Sequence, residues 1–161
     1  MKISQGMRAL LAVAFFCSSA SHAVETAPSF SFSDGSATVA LKDLKDQVVY
    51  LDFWASWCGP CRKSMPWMNK MQEKYKDQGL VIIGVNVDSD RKAAEDFLKA
   101  VPANFKVVYD PEGKIAAQYK LMGMPNSFLI ARDGTMQKRH VGFKEGLEDE
   151  YETEIRQLLK Q

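Results

Sequence analysis

Two cysteines held two residues apart at a strand-to-helix junction limit this chain more than any other feature. The run Val48-Val49-Tyr50-Leu51-Asp52-Phe53-Trp54 is β-branched and aromatic, and reads as a buried strand. From Lys63 to Lys76 the residues Met65, Met68, Met71 and Tyr75 recur at helical spacing. Between them lies Trp57-Cys58-Gly59-Pro60-Cys61. Cys58 is thereby expected to cap the helix, its sulfur near backbone N–H groups that the first turn leaves unpaired. Pro60 suits that turn, where a missing N–H costs nothing. The positive helix end favours a thiolate there.

The first 23 residues follow a different pattern. Lys2 and Arg8 precede an apolar stretch from Ala9 to Cys17, and small and polar residues end at Ser21-His22-Ala23. This is the three-part layout of a secretory signal peptide, with cleavage expected after Ala23 and a periplasmic destination for residues 24–161, read as one domain. Left uncleaved, the segment would give weak membrane association; nine apolar residues are short for a span. Phe16, directly before Cys17, argues against lipidation of that cysteine. Lys and Arg number 21 against 20 Asp and Glu, so there is no basic excess and no nucleic-acid partner is expected.

Export would place Cys58 and Cys61 in an oxidising compartment. Their spacing fits a redox disulfide or half of a zinc site. Zinc needs two further ligands. With residues 1–23 removed, no other Cys remains and His140 is the single His, so no metal is expected. A purely structural disulfide closing so small a loop would constrain the unfolded chain little. Redox chemistry is the better reading. Lowering a thiol pKa from about 8.5 to about 7 raises its ionised fraction about 16-fold. The accompanying loss of nucleophilicity is about 5-fold. The net gain of about 3-fold does not make a fast catalyst, so the nearness of Cys61 must supply more.

The segment Asp52-Phe53-Trp54-Ala55-Ser56-Trp57-Cys58-Gly59-Pro60-Cys61, with Pro66 five residues on, resembles the thioredoxin active-site segment. The stretches Val81 to Asp88, Gly123 to Ile130, and Asp133-Gly134 on to Val141-Gly142 extend the likeness to the exported TlpA/ResA/CcmG-like thiol-disulfide oxidoreductases. The resemblance implies an α/β thioredoxin fold. Its mixed central sheet would be flanked by helices, with an N-terminal β-hairpin and a central strand-helix insertion. It implies that Cys58 is the exposed attacking thiolate and Cys61 the buried resolving thiol. Asp52 would take the proton of Cys61 through a water. Pro125 would be cis and, with Met124, Trp57, Gly59 and Pro60, would hold an extended protein substrate. The implied partners are protein disulfides or dithiols and a membrane electron donor. No cofactor is implied, because the cysteine pair carries the electrons.

Asp52 is informative without the resemblance, since a carboxylate in an apolar strand is expensive unless protonated or paired. The bland alternative is a partly solvated strand-edge Asp. Thioredoxin sets a Lys beside this Asp, and here Gly84 takes that place. The Gly-Pro dipeptide is thioredoxin-like and suggests a reducing poise; an isomerase or oxidant stays open. So does a Cu(I)-handling protein using the thiols with Met or His, or a binding module that keeps only the fold. Phe30, Phe32 and Val39 around Asp34-Gly35 predict a hairpin. Further strands are predicted at Leu80–Val87 and Lys106–Tyr109, and a hairpin at Ser127–Ala131 and Met136–Val141. Helices are predicted at Arg91–Ala100, Glu112–Tyr119 and Glu145–Lys160. Trp54 should pack under the site, Trp67 in core or on the surface, and Met65, Met68 and Met71 in the core. His140 reads as an ordinary strand residue.

Overall fold

The computed structural model describes residues 25–33 and 38–161. The expected signal peptide at 1–23 and the Asp34-Gly35 turn lie outside these residues. The strand expected around Asp52 is β3 (Val48–Trp54), and it is buried at all seven positions. That burial places it at the centre of a five-stranded sheet. Parallel to it runs β4 (Leu80–Asn86), and beyond β4 the parallel edge strand β5 (Lys106–Tyr109). On its other side β6 (Asn126–Ile130) runs antiparallel to β3, and β7 (Met136–Val141) antiparallel to β6. Short strands β1 (Ser31–Ser33) and β2 (Thr38–Ala40) pair separately, with Phe32 opposite Val39 as the hairpin pattern requires.

Alternation along β3 divides the core in two. Val48, Tyr50 and Trp54 pack with α1 (Gly59–Tyr75), α2 (Arg91–Ala100) and α4 (Glu148–Leu159). Val49, Leu51 and Phe53 pack with Phe30, Phe32 and the region of α3 (Lys114–Gln118). The methionines Met65, Met68 and Met71 are fully enclosed in the first layer, and Trp67 joins it with its ring 5.5 Å from Tyr50. The helix α2 has the bounds the sequence predicts. α3 begins two residues late. Asp110 holds a turn through its carbonyl, which accepts from Gly113 N–H (3.0 Å), and Gly113 takes a left-handed φ of 66° that no helix continues. α4 begins three residues late, after a turn in which Leu147 N–H donates to the Lys144 carbonyl (3.2 Å). The segment before β1 is laid along the sheet edge. Ala27 N–H donates to the Gly134 carbonyl (2.9 Å) and Met136 N–H to that of Glu25 (2.8 Å).

Strand register sets one polar row across the α1 side of the sheet. Gly84 of β4 stands opposite Asp52 of β3, Asp52 opposite Ser127 of β6, and Ser127 opposite His140 of β7.

Candidate active site

The cysteine pair begins α1. Cys58 is the N-cap in extended conformation, and Gly59 and Pro60 form the exposed start of the first turn. Cys58 Sγ accepts a hydrogen bond from Cys61 N–H (3.2 Å), so the sulfur lies where the helix end is positive. The two cysteines are disulfide-bonded, their Cα atoms 5.3 Å apart. Cys61 is fully enclosed and Cys58 keeps 4% exposure. Cys58 is thus the more accessible sulfur, but it is not the openly exposed one that the sequence suggested. Its bond to Cys61 and its cap position turn the side chain back over the helix.

The loop leading into the pair is clamped by a residue that sequence reasoning passed over. Asp88, just beyond β4 and 6% exposed, accepts from Ser56 N–H (2.8 Å), Ser56 Oγ (2.9 Å) and Asn86 Nδ2 (2.7 Å). The signal available in the sequence was only an acid ending an apolar strand.

Pro125 follows a cis peptide bond, as expected, and its carbonyl accepts from Gly142 N–H (2.8 Å). Pro125 is buried; Met124 is half-buried and packs on the core layer that contains both cysteines. Register places Phe53, Asn126 and Val141 side by side, so the end of β3, the start of β6 and the end of β7 share one end of the sheet. Trp57 (71% exposed), Met122 (81%) and Val141 (53%) are the large apolar side chains open to solvent among the described residues. Trp57 lies in the loop after β3, Met122 just before the cis bond and Val141 at the end of β7. Such a patch beside a reactive pair suits contact with another polypeptide. The site therefore gathers Trp57, Cys58, Gly59, Pro60, Cys61, Met124 and Pro125 at this end.

Asp52 lies one layer below, 1% exposed and on the same face of β3 as Tyr50 and Trp54. The partly solvated alternative does not hold. Ser127 Oγ donates to its Oδ1 (2.6 Å), while Oδ2 is buried without a protein partner. Burial pushes its pKa up from 3.8 to about 7, against a smaller opposing effect of the Ser127 hydrogen bond. No cation can restrain that rise from Gly84. A Cβ there would lie 2.9 Å from the Phe105 ring and 3.0 Å from Trp54 Nε1, so Trp54 and Phe105 fill the space of a side chain. Burial and the neighbouring Asp52 charge push the Tyr50 hydroxyl well up, against a smaller opposing effect of the Ser127 side chain. His140, expected to be ordinary, is part of the same layer, its Nε2 2.7 Å from Glu154 Oε2. Neither Ser127 nor His140 could be tied to Asp52 before the strand order was known. Among the described residues no group of three or more His, Cys, Asp or Glu side chains could hold a metal ion, and no helix is long and apolar enough to cross a membrane.

The geometry agrees with known proteins. The Redoxin family matches residues 22–155. A thiol-disulfide oxidoreductase ResA of Bacillus cereus is 40% identical over 72% of this chain and 68% of its own. The ResA protein of Bacillus subtilis is 36% identical over 70% of this chain and 63% of its own. The chain thus spans about two thirds of the length of these curated relatives. A solved structure from Chlorobium tepidum, bearing the name thiol:disulfide interchange protein DsbE, superposes with a TM-score of 0.80. It is 47% identical, covering 84% of this chain and 96% of that one. A cysteine pair capping a helix, a cis-proline at the same sheet end and these likenesses converge: the chain belongs to the Redoxin family and is a thioredoxin-like thiol-disulfide oxidoreductase of the ResA kind.

Proposed function

We propose that this chain is an exported reductase of protein disulfides, cleaved after Ala23 and working in the periplasm. In the reduced form Cys58 thiolate attacks a substrate disulfide, forming a mixed disulfide and releasing one substrate thiolate. Asp52 takes the proton of Cys61 through a water. The Cys61 thiolate then attacks Cys58 Sγ, the second substrate thiolate leaves, and the pair is oxidised by two electrons. Trp57, Gly59, Pro60, Met124 and Pro125 hold the substrate chain in extended form beside the sulfurs. A membrane electron donor returns two electrons to the pair, and no further cofactor takes part.

One observation carries the reading. An acid with a pKa near neutrality sits enclosed, with one free oxygen, in the layer that holds Cys61. A carboxyl so poised exchanges protons at working pH. The reducing direction rests on the Gly-Pro dipeptide, and is tested by equilibrating the mature protein with glutathione. A potential near about −270 mV supports a reductase; one near about −120 mV makes it an oxidant. Recovery of covalent partners at Cys58 from cells making the Cys61→Ala variant identifies the substrates, and mass spectrometry of the mature N-terminus tests cleavage before Val24.

A further inference from the structure

The proton that Asp52 accepts has to leave an enclosed site before the next turnover. On the β4 side the Trp54 and Phe105 rings close over Gly84, and the polar atom they present there is the Trp54 Nε1–H, a donor that cannot accept a proton. On the β6 side the surroundings are different. Ser127 Oγ donates to Asp52 Oδ1 (2.6 Å), and its side chain also acts on the neighbouring Tyr50 hydroxyl. One strand further, His140 shares this face, its ring centroid 6.4 Å from that of Tyr50. Its Nε2 is 2.7 Å from Glu154 Oε2 on α4. Glu154 is 24% exposed and reaches Lys138 Nζ at 3.4 Å.

Two buried atoms in this group lack a protein partner. They are Asp52 Oδ2 and His140 Nδ1, on either side of Ser127. An unmatched buried polar atom costs about 1–3 kcal/mol, and packing alone would favour an apolar side chain at position 140. Hydroxyls both accept and donate, and an imidazole can take a proton on one nitrogen and release one from the other. The order acid, hydroxyls, imidazole, surface carboxylate is that of a proton path.

We propose that Ser127, Tyr50, His140 and Glu154 form the exit by which the proton taken up by Asp52 reaches solvent. This rests on the reading of Asp52 as the proton acceptor for Cys61. Asp52 gives its proton to Ser127 Oγ, and the Ser127 and Tyr50 hydroxyls pass one on to His140 Nδ1 across a water. His140 Nε2 releases one to the Glu154 carboxylate, which gives it to bulk water. One proton enters and one leaves, and no sulfur changes oxidation state. The titratable groups facing His140 are Tyr50 from β3 and Tyr151 and Glu154 from α4; Lys138 on its own strand meets the same Glu154. Ser127, Tyr50, His140 and Glu154 are positioning residues, acting through Asp52.

The test follows a single oxidation of the reduced protein by an aromatic disulfide whose thiolate product is coloured and does not bind protons at about pH 8. Stopped flow with a pH indicator in weak buffer records sulfur chemistry and proton release separately. In wild type, proton release keeps pace with the second coloured thiolate. In His140→Gln and in Glu154→Gln the coloured thiolate appears at the wild-type rate and the proton lags about 10-fold or more. Glu154→Gln changes a partly exposed helix position and keeps its shape, so it reports even where His140→Gln disturbs packing. A purely structural role would slow both signals together, and that outcome, or no lag in either variant, overturns the path. Asp52→Asn separates the two ideas. A slowed second thiolate there, with no lag in the other variants, removes the path alone. An unslowed one removes the role of Asp52, and the path with it.

Discussion

At the scale of residues, Asp52 sets most of what can be measured. Its pKa rises on folding from 3.8 to about 7. The folded state therefore binds this proton more tightly than the unfolded chain does. Stability from that preference is present in acid and is lost as pH climbs from about 4 to about 7, after which the whole cost of a buried carboxylate remains. The size is about 4 kcal/mol. Asp52→Asn, which keeps the shape and removes the charge, should be more stable than wild type at pH 8 by a few kcal/mol, with the gap closing toward pH 4; urea unfolding at the two pH values measures it. Activity should move the other way. The wild-type rate of mixed-disulfide resolution should rise through about pH 7 as Asp52 ionises. In the Asn variant that step should be at least about 100-fold slower and should lack this rise, read as turnover from pH 6 to 9. Stability and activity thus pull against each other at one side chain, as is common where a site needs a strained charge.

At the scale of elements, the junction of β3 and α1 was legible because its signals are local. A β-branched run, a capping position and a helical methionine spacing lie within thirty residues of one another, and each points to the same turn. The fit of Gly84 against Trp54 and Phe105 was not legible, since it depends on which strand lies beside β3. Gly84→Ala should cost about 1–3 kcal/mol, because the added methyl meets a ring carbon at 2.9 Å and an indole nitrogen at 3.0 Å. The shift of the urea midpoint checks it. The clamp on the active-site loop was hidden for the same reason: Asp88 and Ser56 are 32 residues apart and meet because β3 and β4 end together. Asp88→Ala leaves Ser56 N–H, Ser56 Oγ and Asn86 Nδ2 without their acceptor, and should cost about 2–4 kcal/mol. It should also lower the Cys58 alkylation rate of the reduced protein, with Cys61 unchanged. A faster reaction at Cys61, which folding encloses fully, would point to general unfolding instead. The late starts of α3 and α4 come from turns that hydrogen bonds hold, which helical periodicity does not register.

At the scale of the whole molecule, the sheet presents one working end. Trp57, Met122 and Val141 leave apolar surface open there, whereas charged pairs such as Lys76–Glu73 at the far end of α1 are exposed and contribute little. Trp57→Ser should therefore raise KM for a protein disulfide about 5- to 10-fold while leaving the rate with a small disulfide within about 2-fold; parallel assays on the two substrates check this. The opposite end of the chain has a different bearing. Glu25 and Ala27 lie along residues 134–136, so this early stretch of the domain waits, as the chain is made, for one more than a hundred residues later. β3 likewise waits for β6, as Asp52 and Ser127 are 75 residues apart. Only Cys58 and Cys61 are close enough in the chain to meet at once. The sulfurs can thus come together while the rest of the chain is still unfolded, long before the surroundings that give the bond its character have been assembled around it.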